Sequence, residues 1–243
     1  MDIDAIKSKL ATLQSTSNTK DNFWKPEPGK QVVRIVPYKH NKDNPFIELF
    51  FHYNLGNNKT YLSPLSFGRP DPVAEFADKL KSTGNKDEWI QGKRLEPKMR
   101  TFAPVIVRGK ESEGVKFWGF GKTVYQELLG IIADPDYGDI TSPKTGTDLV
   151  LTYTVPGTPG SFPKTQLKPR RRPSVLCDDA IADCDALIDS VPDIEAQFNR
   201  LSSEEIQAIL DDYLSTDSSS EMSSSETAKY GSAVDKKLND FLS

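Results

Sequence analysis

Residues 98 to 122 decide the fold. They read Lys98-Met99-Arg100-Thr101-Phe102-Ala103-Pro104-Val105-Ile106-Val107-Arg108, then Gly109-Lys110-Glu111-Ser112-Glu113-Gly114, then Val115-Lys116-Phe117-Trp118-Gly119-Phe120-Gly121-Lys122. Two apolar runs around a charged, glycine-flanked turn predict a pair of antiparallel strands. Side chains alternate between the faces of a strand with period two. Met99, Thr101, Ala103, Val105 and Val107 suit a core, and Lys98, Arg100 and Phe102 point the other way. In the second strand Val115 and Phe117 go inward, opposite to Lys116, Trp118, Phe120 and Lys122. The expectation is one shared face of cations and rings. Single-stranded nucleic acid suits such a face, because phosphates meet Lys and Arg while bases stack on rings. Phe102, Trp118 and Phe120 could equally be core residues, but their shared parity with cations on both strands favours the binding face. Gly119 and Gly121 flank Phe120, and glycine in a strand marks a bulge or the close approach of a ligand.

Charge is divided along the chain. Residues 1–175 carry 27 Lys and Arg against 19 Asp and Glu, while residues 176–243 carry 4 against 16. A basic body with an acidic tail is a layout of nucleic-acid binders, the tail competing with phosphates or recruiting partners; it also serves plain solubility. No run of about 18 apolar residues predicts a membrane span. The first residues lack the basic and apolar regions of a signal peptide. Cys177 and Cys184 are the two cysteines. No disulfide framework is expected from them, and a reducing cytoplasm is the expected compartment.

Ile3, Ile6, Leu10 and Leu13 have helical spacing, so residues 1–22 read as an amphipathic arm that packs on its own molecule or on a neighbouring copy. The core is expected over 23–176. It begins with a meander of strands over Gln31–Val36, Pro45–Tyr53 and Thr60–Leu62, suited to a small barrel. An inserted subdomain over 63–92 carries a helix at Val73–Leu80. Thr123 is the expected N-cap of a helix running to Ile132. A further strand covers Leu149–Val155. The stretch 156–173, with five cations and no acid, reads as an extended arm along the binding groove. Residues 177–214 are acidic and helical, with Ser202 or Ser203 capping the last helix. Residues 215–243 read as a Ser-rich disordered linker and a partner-binding segment.

Catalytic patterns are weak. Gly121-Lys122-Thr123 ends like a P-loop, but the pattern needs glycine at 116, which is Lys. The carboxylates crowd into the tail rather than pairing for acid–base work. His40 and His52 with Cys177 and Cys184 match no zinc spacing.

With these segments laid out, the chain resembles the helix-destabilising single-stranded-DNA-binding protein family of T-even-type bacteriophages. Gly29-Lys30-Gln31-Val32-Val33-Arg34-Ile35-Val36-Pro37, Asn44-Pro45-Phe46, Phe51-His52-Tyr53 and, above all, Phe117-Trp118-Gly119-Phe120-Gly121-Lys122 carry the resemblance. It implies an OB-fold-like core with an embedded subdomain, an N-terminal arm for cooperativity and an acidic tail that binds replication and recombination proteins. The family's zinc, held by one His and three Cys, implies ligands in the insertion. Here His52 matches the His. The Cys-Pro-Val-Cys run reads Asp71-Pro72-Val73-Ala74, and the remaining position, near Ser63 to Leu65, is not Cys. No cofactor is therefore expected, and Leu62, Leu65, Phe67, Val73, Phe76, Leu80 and Trp89 are expected to hold the insertion by packing.

The expected function is non-enzymatic, cooperative binding of single-stranded DNA with little sequence preference, in phage replication, recombination and repair. Lys93, Arg94, Lys98, Arg100, Lys116, Lys122, Lys164, Lys168, Arg170, Arg171 and Arg172 are the expected phosphate contacts. Phe102, Trp118, Phe120 and Phe162 are the expected stacking rings, so that Trp118→Ala would cut affinity without unfolding. The alternative is a replisome protein–protein adaptor of helicase-loading type with an OB-like core.

Overall fold

The structure is a computed structural model that describes residues 22–41, 43–55, 59–157, 162–177 and 183–217. The arm expected over 1–22, Asn22 apart, and the linker and partner segment beyond residue 217 lie outside the described residues. The elements in order are β1 (Phe23–Trp24), β2 (Gly29–Ile35), β3 (Ile47–Leu55), β4 (Lys59–Leu62), α1 (Pro72–Ser82), α2 (Lys86–Leu95), β5 (Lys98–Val107), β6 (Lys116–Phe120), α3 (Lys122–Ala133), β7 (Leu149–Thr154), β8 (Lys164–Pro169), α4 (Cys184–Asp189) and α5 (Ser203–Asp217). The strands form one mixed sheet in the order β1-β6-β5-β2-β7-β8, with β3 on β5 and β4 on β3. The fold is mainly β with helices, as expected.

Strand β5 is the hub. One edge pairs with β6. The other pairs with β3 up to Phe102 and with β2 from Val105. Pro104 sits at that handover. Its carbonyl accepts from Val36 N–H at 2.9 Å. Its missing N–H faces the same edge, in the gap between the two ladders, so a buried strand tolerates a proline.

The β5–β6 register overturns the shared face. Ala103 opposes Trp118, Thr101 opposes Phe120, and Phe102 opposes Gly119. Directly opposed residues share a face, and a one-residue change of register reverses every side chain. Trp118 and Phe120 therefore side with Ala103 and Val105, not with Arg100 and Phe102. All three rings are buried: Phe102 is 0%, Trp118 2% and Phe120 3% exposed. The Gly109–Gly114 turn, which closes through a short 3-10 turn at Glu111–Glu113, sets this pairing. Gly119 is glycine because the Phe102 ring lies across it. A Cβ there would sit 2.8 Å from a ring carbon, so the close approach comes from the chain itself.

Both faces of the sheet are covered. Trp118, Phe120, Ala103, Val105, Leu149 and Leu151 form one core with Val124, Tyr125 and Leu128 of α3. Phe51, Phe102, Ile106 and Phe117 form the other, closed by Leu176 and by Val191, Ile194 and Phe198 from the acidic segment. The Phe198 ring lies 5.4 to 5.7 Å from those of Phe23, Phe51 and Phe102. Ile194 N–H donates to Tyr38 Oη at 3.1 Å. Contrary to the sequence expectation, Cys177 and Cys184 form a disulfide, their Cα atoms 5.6 Å apart. Both cysteines pack on this core. The expected reducing compartment loses the ground it had in two free thiols.

The insertion holds two helices, of which only α1 was expected. Asn85 caps α2 by accepting from Asp87 N–H. Gly92 lets the pair close up, because a Cβ there would lie 2.6 Å from the Ala77 carbonyl. Val73, Ala77 and Leu95 pack with Ile206 and Leu210 of α5. Leu65 and Trp89, expected in this packing, are exposed instead. Ser202 and Glu205 exchange hydrogen bonds at the start of α5, a capping box. This helix runs to Asp217, into the stretch expected to be linker. The expected cap Thr123 is not used: α3 starts from Gly121, with no side-chain cap.

Two buried polar clusters tie loops to the sheet. In one, the fully buried Arg34 bonds Asp148 Oδ1 at 3.1 Å and the carbonyls of Ser142 and Ser174. Arg108 adds bonds to Asp148 and to the carbonyls of Val175 and Leu176. In the other, His52 Nε2 meets Asp71 Oδ2 at 2.8 Å, and His52 Nδ1 meets the Leu95 carbonyl at 3.0 Å.

Gly119→Ala overpacks the Phe102 ring and costs about 1–3 kcal/mol, read by urea unfolding. Trp118→Ala is a core truncation that costs about 3–5 kcal/mol, read the same way, in place of the silent effect on stability expected from the sequence. Burial alone would push the Glu96 carboxyl up, but hydrogen bonds from Lys93 and Lys81 and the charge of Lys98 pull it from 4.5 down to about 2. A depressed folded value stabilises above the unfolded value and fades as pH falls. The acid limb of a stability–pH curve between 4.5 and 2 therefore flattens in Glu96→Gln.

Candidate nucleic-acid interface

The inward turn of β6 places its rings on the floor of a cleft rather than on an open shelf. The cleft, of about 800 Å³, lies between β6, the start of α3 and the β7–β8 hairpin. Trp118 and Phe120 line it, with centroids 4.5 Å apart and planes tilted by 49°. Trp24 and Phe46 back them edge-on at 6.1 and 6.3 Å. These contacts hold the rings in place, so the floor is rigid and apolar.

The rim is cationic. Lys25, Arg100 and Lys164 line the cleft, and among the described residues no Asp or Glu does. Arg100 leaves β5 on the face opposite to Trp118. It reaches the cleft past Gly121, where an added Cβ would lie 3.5 Å from its Nη1. Gly121, Thr123 and Val124 bring the N-terminus of α3 to the same wall. The first turn of that helix carries no acid, so its free N–H groups add positive potential.

The expected site residues divide into groups. Arg100, Trp118, Phe120 and Lys164 meet at the cleft. Phe162 is exposed, two residues before Lys164. Lys122 begins α3 and is exposed, but it does not line the cleft. Lys116 begins β6, on the opposite end of that strand from Phe120. Phe102 belongs to the other core and is removed from the site by the register. Lys93, Arg94 and Lys98 lie at the insertion. Lys93 Nζ is 2.9 Å and Lys98 Nζ 3.5 Å from Glu96 Oε2, so these two cations are already paired.

The expected arm is a strand over most of its length. Thr154 pairs with Lys164 and Leu149 with Pro169. Proline did not prevent this, because Pro163 and Pro169 fall at the two ends of the pairing. Lys168 and Arg170 to Arg172 are exposed at the far end of the hairpin, Lys168 about 13 Å of strand beyond Lys164 and the arginines past the strand's end. Pro156, Pro163, Thr165 and Gln166 complete the cleft. Lys25, Tyr153 and Val155 also line it and were not singled out from the sequence. Lys25 follows a strand only two residues long. Tyr153 and Val155 read simply as the inward row of β7.

The cleft has room for a flat apolar group with anions beside it, its floor rings Trp118 and Phe120 being only 2% and 3% exposed. Rings below and cations around the edge suit a base and its phosphates.

A model of the family described as gp32 DNA binding protein like matches residues 27–212. The chain is similar to the single-stranded DNA-binding protein of Enterobacteria phage T4, 28% identical over 171 residues that cover 62% of this chain and 56% of that protein. It is also similar to the single-stranded DNA-binding protein of Enterobacteria phage T2, 30% identical over 139 residues that cover 51% of this chain and 45% of that protein. The chain thus spans about half the length of the curated relatives it matches. The family match runs from the approach to β2 through most of α5, taking in the insertion and all but β1 of the sheet and Lys25 and Pro26 of the cleft, and the chain belongs to the gp32 DNA binding protein like family.

Proposed function

We propose that the protein binds single-stranded DNA without catalysis, seating bases in the cleft over Trp118 and Phe120 and phosphates on Lys25, Arg100 and Lys164. The observation that carries this reading is the cleft's composition, a ring floor with a cationic rim and, among the described residues, no carboxylate. The names of the phage T4 and T2 relatives support it. Stacking on a ring accepts any base, so sequence preference is weak. Phe162, Lys122, Lys168 and Arg170 to Arg172 extend the path along the β7–β8 hairpin. Lys93, Arg94, Lys98 and Lys116 serve as outer contacts once their present pairings exchange for phosphate. The protein acts in phage replication, recombination and repair, in the cytoplasm of the host. The N-terminal arm contacts neighbouring copies along the strand, and the acidic tail meets replication and recombination proteins.

We read the sheet as an opened OB-fold-like barrel with residues 63–92 embedded in it. The division of one β5 edge between β3 and β2 supports this, since a barrel shares its long strand between two halves of the sheet. No described helix is long and apolar enough to cross a membrane.

Titration of tryptophan emission with oligo-dT at two salt concentrations tests the reading. Trp118 lines the cleft, so binding quenches emission, and the effect weakens steeply with salt. Arg100→Ala and Lys164→Ala each reduce the salt slope by about one. Phe162→Ala weakens binding by about 1–3 kcal/mol if its ring stacks a base. Absence of quenching at low salt, with folding intact, overturns the DNA reading in favour of a protein-binding core.

A further inference from the structure

The buried cluster around His52 occupies the place where the family resemblance implies a zinc ion. His52 comes from β3, Ser63 follows β4, Asp71 caps α1, and Leu95 ends α2. His52, Ser63 and Asp71 are all buried. Ser63 Oγ donates to Asp71 Oδ2, which also faces His52 Nε2 at 2.8 Å. Asp71 Oδ1 accepts from the N–H groups of Val73 and Ala74 at 3.0 and 3.2 Å. Four chain segments meet through these contacts.

These residues do not fit a metal. Both nitrogens of His52 face acceptors, one a carboxylate and the other a backbone carbonyl. An imidazole that donates from both nitrogens has no lone pair left for a cation. Both oxygens of Asp71 are spent as well. The remaining family positions carry a methyl at Ala74 and, near Ser63 to Leu65, no thiol, so neither offers a zinc thiolate. Among the described residues no group of three or more His, Cys, Asp or Glu side chains comes together.

We propose that His52, Ser63 and Asp71 form a metal-free latch that replaces a zinc ion in holding the inserted helices to the sheet. The latch joins the same segments a zinc would join, by hydrogen bonds among buried side chains and backbone groups. Its reach extends to the cleft. Leu95, bonded by His52, lies three residues before the start of β5, and Arg100 lines the cleft from that strand.

The test reads metal content and thermal stability of the full chain, so its outcome is separate from that of DNA binding. Purified protein contains zinc far below one per chain, and its Tm is unmoved by EDTA or by added zinc. Stoichiometric zinc, or a Tm that falls with chelator, overturns the proposal. Asp71→Asn leaves His52 without its charged partner and lowers Tm by several degrees or more. An unchanged Tm in that variant overturns the latch. The triple variant Ser63→Cys, Asp71→Cys, Ala74→Cys retains His52 and so offers three thiolates and one imidazole, a zinc set. It takes up one zinc and becomes sensitive to EDTA. Failure to bind zinc, whether it folds or not, overturns the claim that the latch stands in a metal's place.

Discussion

A strand has two edges, and β5 gives one to β6 and divides the other between β3 and β2. The rest of the sheet depends on how those ladders are registered. With Ala103 opposite Trp118, the β6 rings must enter the core that α3 closes. With Phe102 opposite Gly119, the Phe102 ring must cross the neighbouring strand, and only a residue without Cβ leaves room for it. The acidic segment then has a defined task, since the outer face of β5 is too apolar to be left in water. Leu176, Val191, Ile194 and Phe198 cover it. An acidic stretch can serve as half of a core because its apolar residues turn inward while its carboxylates stay wet.

Hydrophobic contact is non-directional, and orientation here comes from charge. Arg34 and Arg108 hold the segment after β8 by its carbonyls, sharing Asp148 between them. His52 and Asp71 hold the helical insertion by its cap and by its last carbonyl. Arg34, Arg108 and Asp148 pair with opposite charge, and Asp71 accepts from His52, Ser63 and two backbone N–H groups, the condition under which burial of ions is tolerable. These clusters lie at opposite ends of the sheet, and each fixes an irregular connection that leads to or from a strand of the cleft.

Much of this was legible. Periodicity and turn residues located β2, β3, β4, β5, β6, β7 and α3, and the helical spacing of Val73, Phe76, Ala77 and Leu80 located α1. Register was not legible, because both parities of β6 are ring-rich. Val115 and Phe117 looked as suitable for a core as Trp118 and Phe120, and a sheet covered on both faces buries all of them. The alternation argument assumes one wet face, and here there is none. The second insertion helix was hidden by Gly92 and its many charges, since glycine inside a helix reads as a break until a neighbour needs the space. Strand β8 was hidden by prolines that stand at its ends. The Cys177–Cys184 bond depends on a fold-back that seven residues of spacing do not specify. The site was therefore half legible. Trp118, Phe120, Arg100 and Lys164 do meet, but in a cleft with a rigid floor, and Phe102 does not join them.

The arginine run 170–172 has neighbours that bear on its thermodynamics. Arg170 N–H donates to the Asp148 carbonyl, and Ser174 bonds Arg34 through both its hydroxyl and its carbonyl. The run is thus a short bridge pinned at each abutment, and three guanidinium groups stand on it with fixed spacing between their Cα atoms. A counter-ion that settles there immobilises side chains alone, because the backbone has already surrendered its freedom during folding. Such a bridge acts as a ruler of positive charge, whereas a loose basic tail of the same composition would have to be straightened by each anion it met.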